Sequence, residues 1–316
     1  MSQKLKHKME MQQVFIPISQ LATYINLNPY GNLSMILTGL WLKVDLNGYS
    51  QKLLELEQKT GRSFKALSEW EMMMDLCNYF GLDLKDQIKT SMKSGSNMDL
   101  KKNQKHLLQQ VSQISLRNEE DNQKKEKLTG LITSFTNRGY GTNHESSAID
   151  LYEEQTGYKV YDQQKKITKK IITSQCPLVE WHLVGKLDGL AIENSGEKIV
   201  VEIKNRTTRL FGHLKDYEKP QIQSYLKLMG LKNGHLVESL QVENKFHPYA
   251  RKRTIKIIPV EYEPEYWENI KIRLAGFVAF FADFLKNDQL QELVLCDPDQ
   301  NAEQLLKNIL DTYIHK

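Results

Sequence analysis

The chain has 316 residues, 40% of them hydrophobic and 26% charged, with a formal net charge of +4. This balance excludes a disordered or fibrous chain, and its mild basicity admits a nucleic-acid partner without requiring one. The three cysteines, Cys77, Cys176 and Cys296, stand far apart with no Cys-x-x-Cys spacing, which argues against a disulfide framework or a zinc site and for an intracellular, reducing compartment.

In chain order, residues 1–13 (MSQKLKHKMEMQQ) read as a charged, disordered lead-in. They lack the apolar stretch of a secretory signal; a short mitochondrial transit peptide stays open, although Glu10 and the absence of Arg weigh against it. Cytoplasm, nucleus and viral factory are equally compatible. The main domain is expected over 14–288. Its first element is a short helix carrying Leu21, Ala22, Tyr24 and Ile25, capped by Ser19 or its neighbour and broken by Asn28-Pro29-Tyr30-Gly31. An N-terminal serine of this kind is either an ordinary cap or a phosphate grip, and spacing alone favours the cap. Residues 34–45 are apolar enough to be buried.

From about Ser50 to Lys127 the composition turns to Lys, Gln, Glu, Met and Leu at helical spacing, the mark of a helical insertion. Met72, Met73 and Met74 read as core packing, and Arg117 to Lys127 as an exposed charged run. Gly139 and Gly141 suggest a tight loop before a helix that starts near Asn143 and ends at Gly157. Thr142 and Glu145 fit a capping box, so Glu145 is explained either by capping or as a carboxylate near a metal.

Residues 158–172 predict one or two strands. The stretch Val179 to Arg206 predicts two apolar strands around a turn at Glu193 to Glu197. With Ser195 as pivot, Asp188 faces Glu202, and Lys204 projects from the same side as Glu202. Each acid interrupts an apolar run. Two facing carboxylates repel and lose hydration, and a divalent cation between them removes both costs. Asp188 and Glu202, with the Ile203 carbonyl, form a donor set suited to Mg²⁺, and Lys204 could orient or deprotonate a water. The alternative is a salt-bridged triad, with Lys204 paired to Glu202 and Asp188 capping the turn at Gly189.

After the hairpin comes a basic loop with Arg206, Arg209 and Lys215, placed for phosphate contact. Pro220 opens a helix on which Gln221 and Tyr225 align at i, i+4. Residues 234–262 extend the sheet through two strands and a basic turn at Tyr249 to Arg253. An amphipathic helix from Pro264 to Asn287 packs on it through Trp267, Ile270, Leu274, Phe277, Phe281 and Leu285, and 289–316 form a helical tail. The richest apolar run, Leu274 to Leu285, falls well short of the roughly 20 residues needed to span a bilayer, so no membrane partner is expected.

Glu145 on a helix, Gly185 to Gly189, Val201-Glu202-Ile203-Lys204 and Gln221 to Tyr225, in that order, resemble the PD-(D/E)XK nuclease superfamily. The closest branch is the YqaJ-type viral recombinase, or phage lambda exonuclease-like, family, which has motifs similar to Ser19-Gln20-Leu21-Ala22, Asn28-Pro29-Tyr30, Arg138 to Glu145 and Tyr152 to Gly157. The resemblance covers about 15–45 and 135–285 and leaves 50–127 unmatched. It implies an α/β (α+β) fold of restriction-endonuclease type, a central mixed sheet flanked by helices. It also implies a Mg²⁺-dependent deoxyribonuclease using one or two ions, with Mn²⁺ as a substitute. Asp188 and Glu202 carry over as metal ligands, Lys204 as the catalytic lysine, and Glu145 and Gln221 as supporting residues. Ser19, Arg138, Arg206, Arg209 and Tyr225 become candidate contacts to DNA. An exonuclease of linear duplex DNA in recombination or repair is the first expectation. A structure-specific endonuclease and a non-catalytic nucleic-acid-binding subunit are the alternatives. A trimeric ring and a single-strand annealing protein are the partners such a family brings. One departure stands out: Phe15-Ile16-Pro17-Ile18 precedes Ser19 where an Arg is common in the family, which leaves the polarity open.

Overall fold

The computed structural model describes residues 12–61, 68–172, 179–243, 251–296 and 300–315. The chain opens with β1 (Gln12–Pro17), a 3-10 turn (Ile18–Gln20), α1 (Leu21–Tyr24), α2 (Leu33–Val44) and α3 (Leu46–Thr60). Four helices follow: α4 (Glu69–Tyr79), α5 (Lys85–Met92), α6 (Asn97–Ser112) and α7 (Glu119–Asn143). Then come α8 (Glu145–Thr156), β2 (Val160–Tyr161), β3 (Lys166–Ile172), β4 (Val179–Lys186), β5 (Gly189–Ile192) and β6 (Lys198–Arg206). The chain closes with α9 (Lys219–Met229), β7 (Asn233–Glu243), β8 (Arg251–Glu261), α10 (Pro264–Phe284), α11 (Asp288–Cys296) and α12 (Gln300–Ile314).

The expected α/β class holds, but the strands divide between two sheets. A five-stranded mixed sheet runs β2-β5-β6-β7-β8, and a three-stranded one runs β1-β4-β3. Within the larger sheet only β6 and β7 are parallel. Val179 to Arg206 is therefore not a single hairpin: β4 belongs to the smaller sheet, and the chain crosses at Leu187 and Asp188 before β5. The turn half of the expectation survives. The ladder Gly189↔Val201, Leu190↔Val200, Ala191↔Ile199, carried one residue further, sets Asp188 opposite Glu202.

β6 is buried from Ile199 to Ile203 because both of its faces are covered, as expected of a central strand. Val200 points into the main core, where α9 and α10 contribute Ile222, Leu226, Phe277 and Phe281. Ile199, Val201 and Ile203 point into a second core with Ala148, Ile149 and Tyr152 of α8. By alternation, Glu202, Lys204 and Arg206 lie on the α9 side.

The helical insertion has its own core of Met73, Cys77, Leu84, Ile88, Leu107, Val111, Leu128 and Ile132. Its bounds differ from 50–127. Tyr49 and Leu53 of α3 pack on the main core, so the separate unit begins with α4 and continues into α7. Gly139 and Gly141 lie inside α7 rather than in a loop. A side chain at 139 would meet Met92 Cβ at 2.5 Å, so this glycine serves the α5–α7 contact. The charged run is anchored too: Asp121 is fully buried and accepts from Tyr79 Oη at 2.7 Å and Arg117 Nε at 2.9 Å.

Other expectations change at the ends. Strand β1 begins at Gln12, inside the stretch read as a lead-in; residues 1–11 lie outside the described residues. Ser19 sits in the 3-10 turn, and α1 has Gln20 at its N-cap with no side-chain cap bond. Tyr249 and Ala250 of the expected basic turn are not described, while Arg251 to Arg253 begin β8. The tail is two helices, and α12 buries Leu306, Leu310 and Ile314 in the main core. Cys77 is buried and Cys296 exposed; Cys176 lies outside the described residues. No helix among the described residues is long and apolar enough to cross a membrane.

Candidate active site

Four of the residues singled out in the sequence meet where β5, β6 and α9 converge. Glu202 is 2% exposed. Its Oε1 accepts from Lys204 Nζ at 2.8 Å, while its Oε2 is buried with no hydrogen-bond partner. Lys204 Nζ donates a second bond to Gln221 Oε1 at 2.9 Å. Asp188, at the bend between the two sheets, accepts from the Ile203 N–H through Oδ2 at 2.7 Å. The salt bridge of the alternative reading is thus present, yet it satisfies only one oxygen of Glu202, and Asp188 caps the strand at Ile203 rather than the turn at Gly189.

Burial pushes the Glu202 carboxyl above its ordinary range, and the neighbouring Asp188 pushes it further. Asp188 is raised by burial against the opposing pull of Lys204 and the Ile203 N–H. Burial alone would lower Lys204, but Glu202 and Asp188 outweigh it and leave the ammonium raised. Both acids therefore resist ionising where they stand, and an added cation would reverse that.

Glu145 is the first residue of α8. The expected Thr142 capping box does not form: Thr142 lies in α7, and His144 is the N-cap with no side-chain bond. Capping therefore does not account for Glu145. α8 packs on the face of β6 opposite to Glu202, against Ile199, Val201 and Ile203. Burial raises its carboxyl and the charge of Glu202 adds to this. Its Oε2 accepts from Gln164 Nε2 at 3.0 Å. Among the described residues no three His, Cys, Asp or Glu side chains form a group able to hold a metal, so the donor set rests on two carboxylates and backbone oxygen.

The remaining candidates are dispersed. Tyr225 is 1% exposed and donates to the Lys186 carbonyl at 2.8 Å, which makes it a core residue that braces β4 rather than a contact to DNA. Arg138 is tied to Glu69 of α4 and lies over the Phe135 ring, contacts that belong to the helical insertion. Ser19 is exposed but caps no helix. Arg206 is engaged with Glu218 and Glu238, which leaves it no unpaired charge for a phosphate. Arg209 is exposed and, with Lys215, flanks Phe211, in keeping with a surface role.

Three residues with contacts here were missed in the sequence. Glu238 carried a readable signal, since it interrupts the apolar strand Leu236-Val237 as Glu202 interrupts its own. Glu218 carried none. Gln164 has a left-handed φ of 57°, which nothing about a glutamine announces.

An acid at the bend before β5 opposite an acid of β6, a Glu-x-Lys strand and a glutamine-bearing helix on a mixed α/β scaffold have the form of the PD-(D/E)XK class. Residues 85–229 match the family model of the YqaJ-like viral recombinase domain. The matched stretch contains Glu145, Asp188, Glu202, Lys204 and Gln221. It also takes in α5, α6 and the start of α7, which the sequence resemblance had left unmatched, and omits Ser19. Among solved structures, LHK-Exo in complex with dAMP is similar at 15% identity over 63% of this chain and 87% of that one, with a TM-score of 0.32. The alkaline exonuclease LHK-Exo from Laribacter hongkongensis is similar at 14% identity over 64% and 94%, with a TM-score of 0.31. A search of the curated proteins gives no match.

Proposed function

We propose that the chain is a divalent-metal-dependent deoxyribonuclease, an exonuclease acting on linear duplex DNA in recombination or repair. The observation that carries this reading is Glu202 Oε2: a carboxylate oxygen buried without a hydrogen-bond partner, opposite a second acid. Leaving such an atom unpaired costs about 1–3 kcal/mol or more for a charged group, and a fold gains nothing from that cost unless a ligand repays it. The match of residues 85–229, a stretch that contains all five site residues, to a YqaJ-like viral recombinase domain supports the same reading.

Asp188, Glu202 Oε2 and the Ile203 carbonyl would hold Mg²⁺ as one or two ions, all hard oxygen donors of the kind that ion prefers. When bound, the metal supplies charge neutralisation at the phosphate and a more acidic water. Lys204, tied to Glu202 Oε1 and Gln221, presents an ammonium at the same point, where it orients the attacking water or offsets charge building on the phosphate. Gln221 fixes Lys204 from the helix side. Glu145 adds an outer carboxylate, and Arg209 with Lys215 offers charge to the strand leaving the site.

The test is digestion of linear and closed circular duplex DNA with and without Mg²⁺, by the wild type and by Lys204→Ala. Metal-dependent loss of linear duplex by the wild type alone is expected. No cleavage by the wild type would overturn the reading, and cleavage of closed circles would replace the exonuclease with an endonuclease.

A further inference from the structure

Lys204 and Arg206 project from the same side of β6, and each reaches toward α9. Lys204 Nζ meets Gln221 on that helix. Arg206 forms a fork with Glu218, the residue at the helix N-cap: Nη1 to Oε1 at 2.7 Å and Nη2 to Oε2 at 2.9 Å. Two parallel ties thus join the end of one strand to the start of one helix. Arg206 Nε also donates to Glu238 Oε1 at 2.8 Å, and Glu238 is the residue of β7 beside Lys204 in the parallel ladder. The second oxygen of Glu238 accepts from the Gly212 N–H at 2.6 Å, pinning the loop between β6 and α9. The side chains of Arg206, Glu218 and Glu238 are 12%, 7% and 0% exposed. Buried ion networks are weak sources of stability, whereas a planar guanidinium shared by two acids fixes relative position well.

We propose that Arg206, with Glu218 and Glu238, is a positioning network that sets Gln221 against Lys204, so that Arg206 acts on phosphodiester cleavage through those two residues and not by touching the phosphate. The inference rests on the nuclease reading above. A lysine at 206 keeps the charge but loses the fork, so the start of α9 shifts relative to β6. Displacements on the order of 1 Å at such a site cost about 100-fold in rate.

The experiment compares the wild type, Arg206→Lys, Glu218→Gln and Gln221→Ala, together with each of the first two changes combined with Gln221→Ala. Turnover is measured on linear duplex with Mg²⁺, thermal unfolding is recorded for each, and duplex binding is followed over a salt series without divalent metal. Arg206→Lys is expected to lower kcat about 10- to 100-fold with KM and the salt slope of binding unchanged, and to have little further effect once Gln221 is alanine. Glu218→Gln is expected to act in the same way but less, and it carries the comparison if the lysine variant does not fold. A salt slope reduced by about one charge with weaker binding would make Arg206 a phosphate contact and overturn the proposal. So would an equal loss of kcat in both backgrounds, the mark of a purely structural role. Absence of cleavage by the wild type overturns the nuclease reading and this inference with it, whereas cleavage with either of those two patterns overturns this inference alone.

Discussion

Lys204 holds one oxygen of Glu202 at 2.8 Å and leaves the other bare. A pair evolved only for stability would satisfy both, since an unmet buried acceptor costs more than a good hydrogen bond returns. The raised carboxyls of Glu202 and Asp188 mark this spot as short of positive charge.

Mg²⁺ is therefore expected to stabilise the protein more as pH rises. A carboxyl whose folded pKa lies above its unfolded value loses stability as pH climbs from the unfolded pKa, about 4, toward the folded one, and the loss is constant beyond it. Asp188 and Glu202 both shift that way, so the metal-free protein pays for their ionisation on the alkaline side, and deprotonated ligands bind metal best. Thermal unfolding with and without Mg²⁺ from about pH 5 to about pH 9 should show a growing shift in Tm, corresponding to about 2.7 kcal/mol at a hundred times Kd. A shift independent of pH would remove these two acids from the metal site.

Asp188→Asn is expected to abolish turnover while leaving the metal-free protein as stable as the wild type or more so. The amide oxygen can still accept from the Ile203 N–H, and the repulsion from Glu202 disappears. Asp188→Ala, by contrast, leaves that strand N–H without its partner and should cost about 1–3 kcal/mol. Urea unfolding of the three metal-free proteins separates these outcomes. A large loss for the asparagine variant would favour a salt-bridged triad over a metal pair.

How far the site was legible follows from what each residue needs. Asp188, Glu202 and Lys204 could be found because strand periodicity is rigid and an acid in an apolar run is conspicuous; the β5–β6 register that opposes 188 and 202 came from counting about one turn residue. The crossing from β4 to β5 could not be found, since a strand leaving one sheet for another keeps the same apolar pattern. The Glu145 capping box failed for a related reason: α7 runs through Gly139 and Gly141, held by the Met92 contact, and glycine in a helix is unfavourable by propensity alone. The ion pairs of Arg206 could not be found because a basic residue beside a candidate site looks the same in sequence whether it meets phosphate or a buried Glu218 and Glu238. Tyr225 was misread because a helix face does not declare which neighbour covers it.

Gln164→Gly offers a test of a residue that periodicity could not reveal. Its left-handed φ of 57° costs a non-glycine residue roughly 1 kcal/mol or more, and glycine relieves it. The glutamine amide also holds Glu145 Oε2 at 3.0 Å, while the backbone N–H of 164 meets the Leu187 carbonyl at 2.8 Å and is kept in the variant. The expected result is equal or higher Tm with cleavage lowered about 2- to 10-fold, the equivalent of one ordinary hydrogen bond. Unchanged cleavage would detach Gln164, and with it the fixed orientation of Glu145, from the reaction.

The helical insertion should be the acid-sensitive part of the molecule. Asp121 is held well below the usual carboxylate range by hydrogen bonds from Arg117 and Tyr79 and by the Arg117 backbone N–H. For an acid depressed in the folded state the sign is opposite to that of the metal pair: its contribution is complete above the unfolded pKa, about 4, and is lost as pH falls below that toward the folded value. Since Tyr79 of α4 and Asp121 of α7 meet in this cluster, protonation loosens α4 and the start of α7 without touching the sheet. Hydrogen exchange followed from about pH 6 to about pH 3 is expected to show α4–α7 amides exposed before those of β6 and β7. Asp121→Asn should remove that pH step by lowering protection of the unit at neutral pH to its acid level. If the two regions instead lose protection together at acid pH in the wild type, the insertion shares the cooperative unit of the main core and its separate apolar cluster does not unfold on its own.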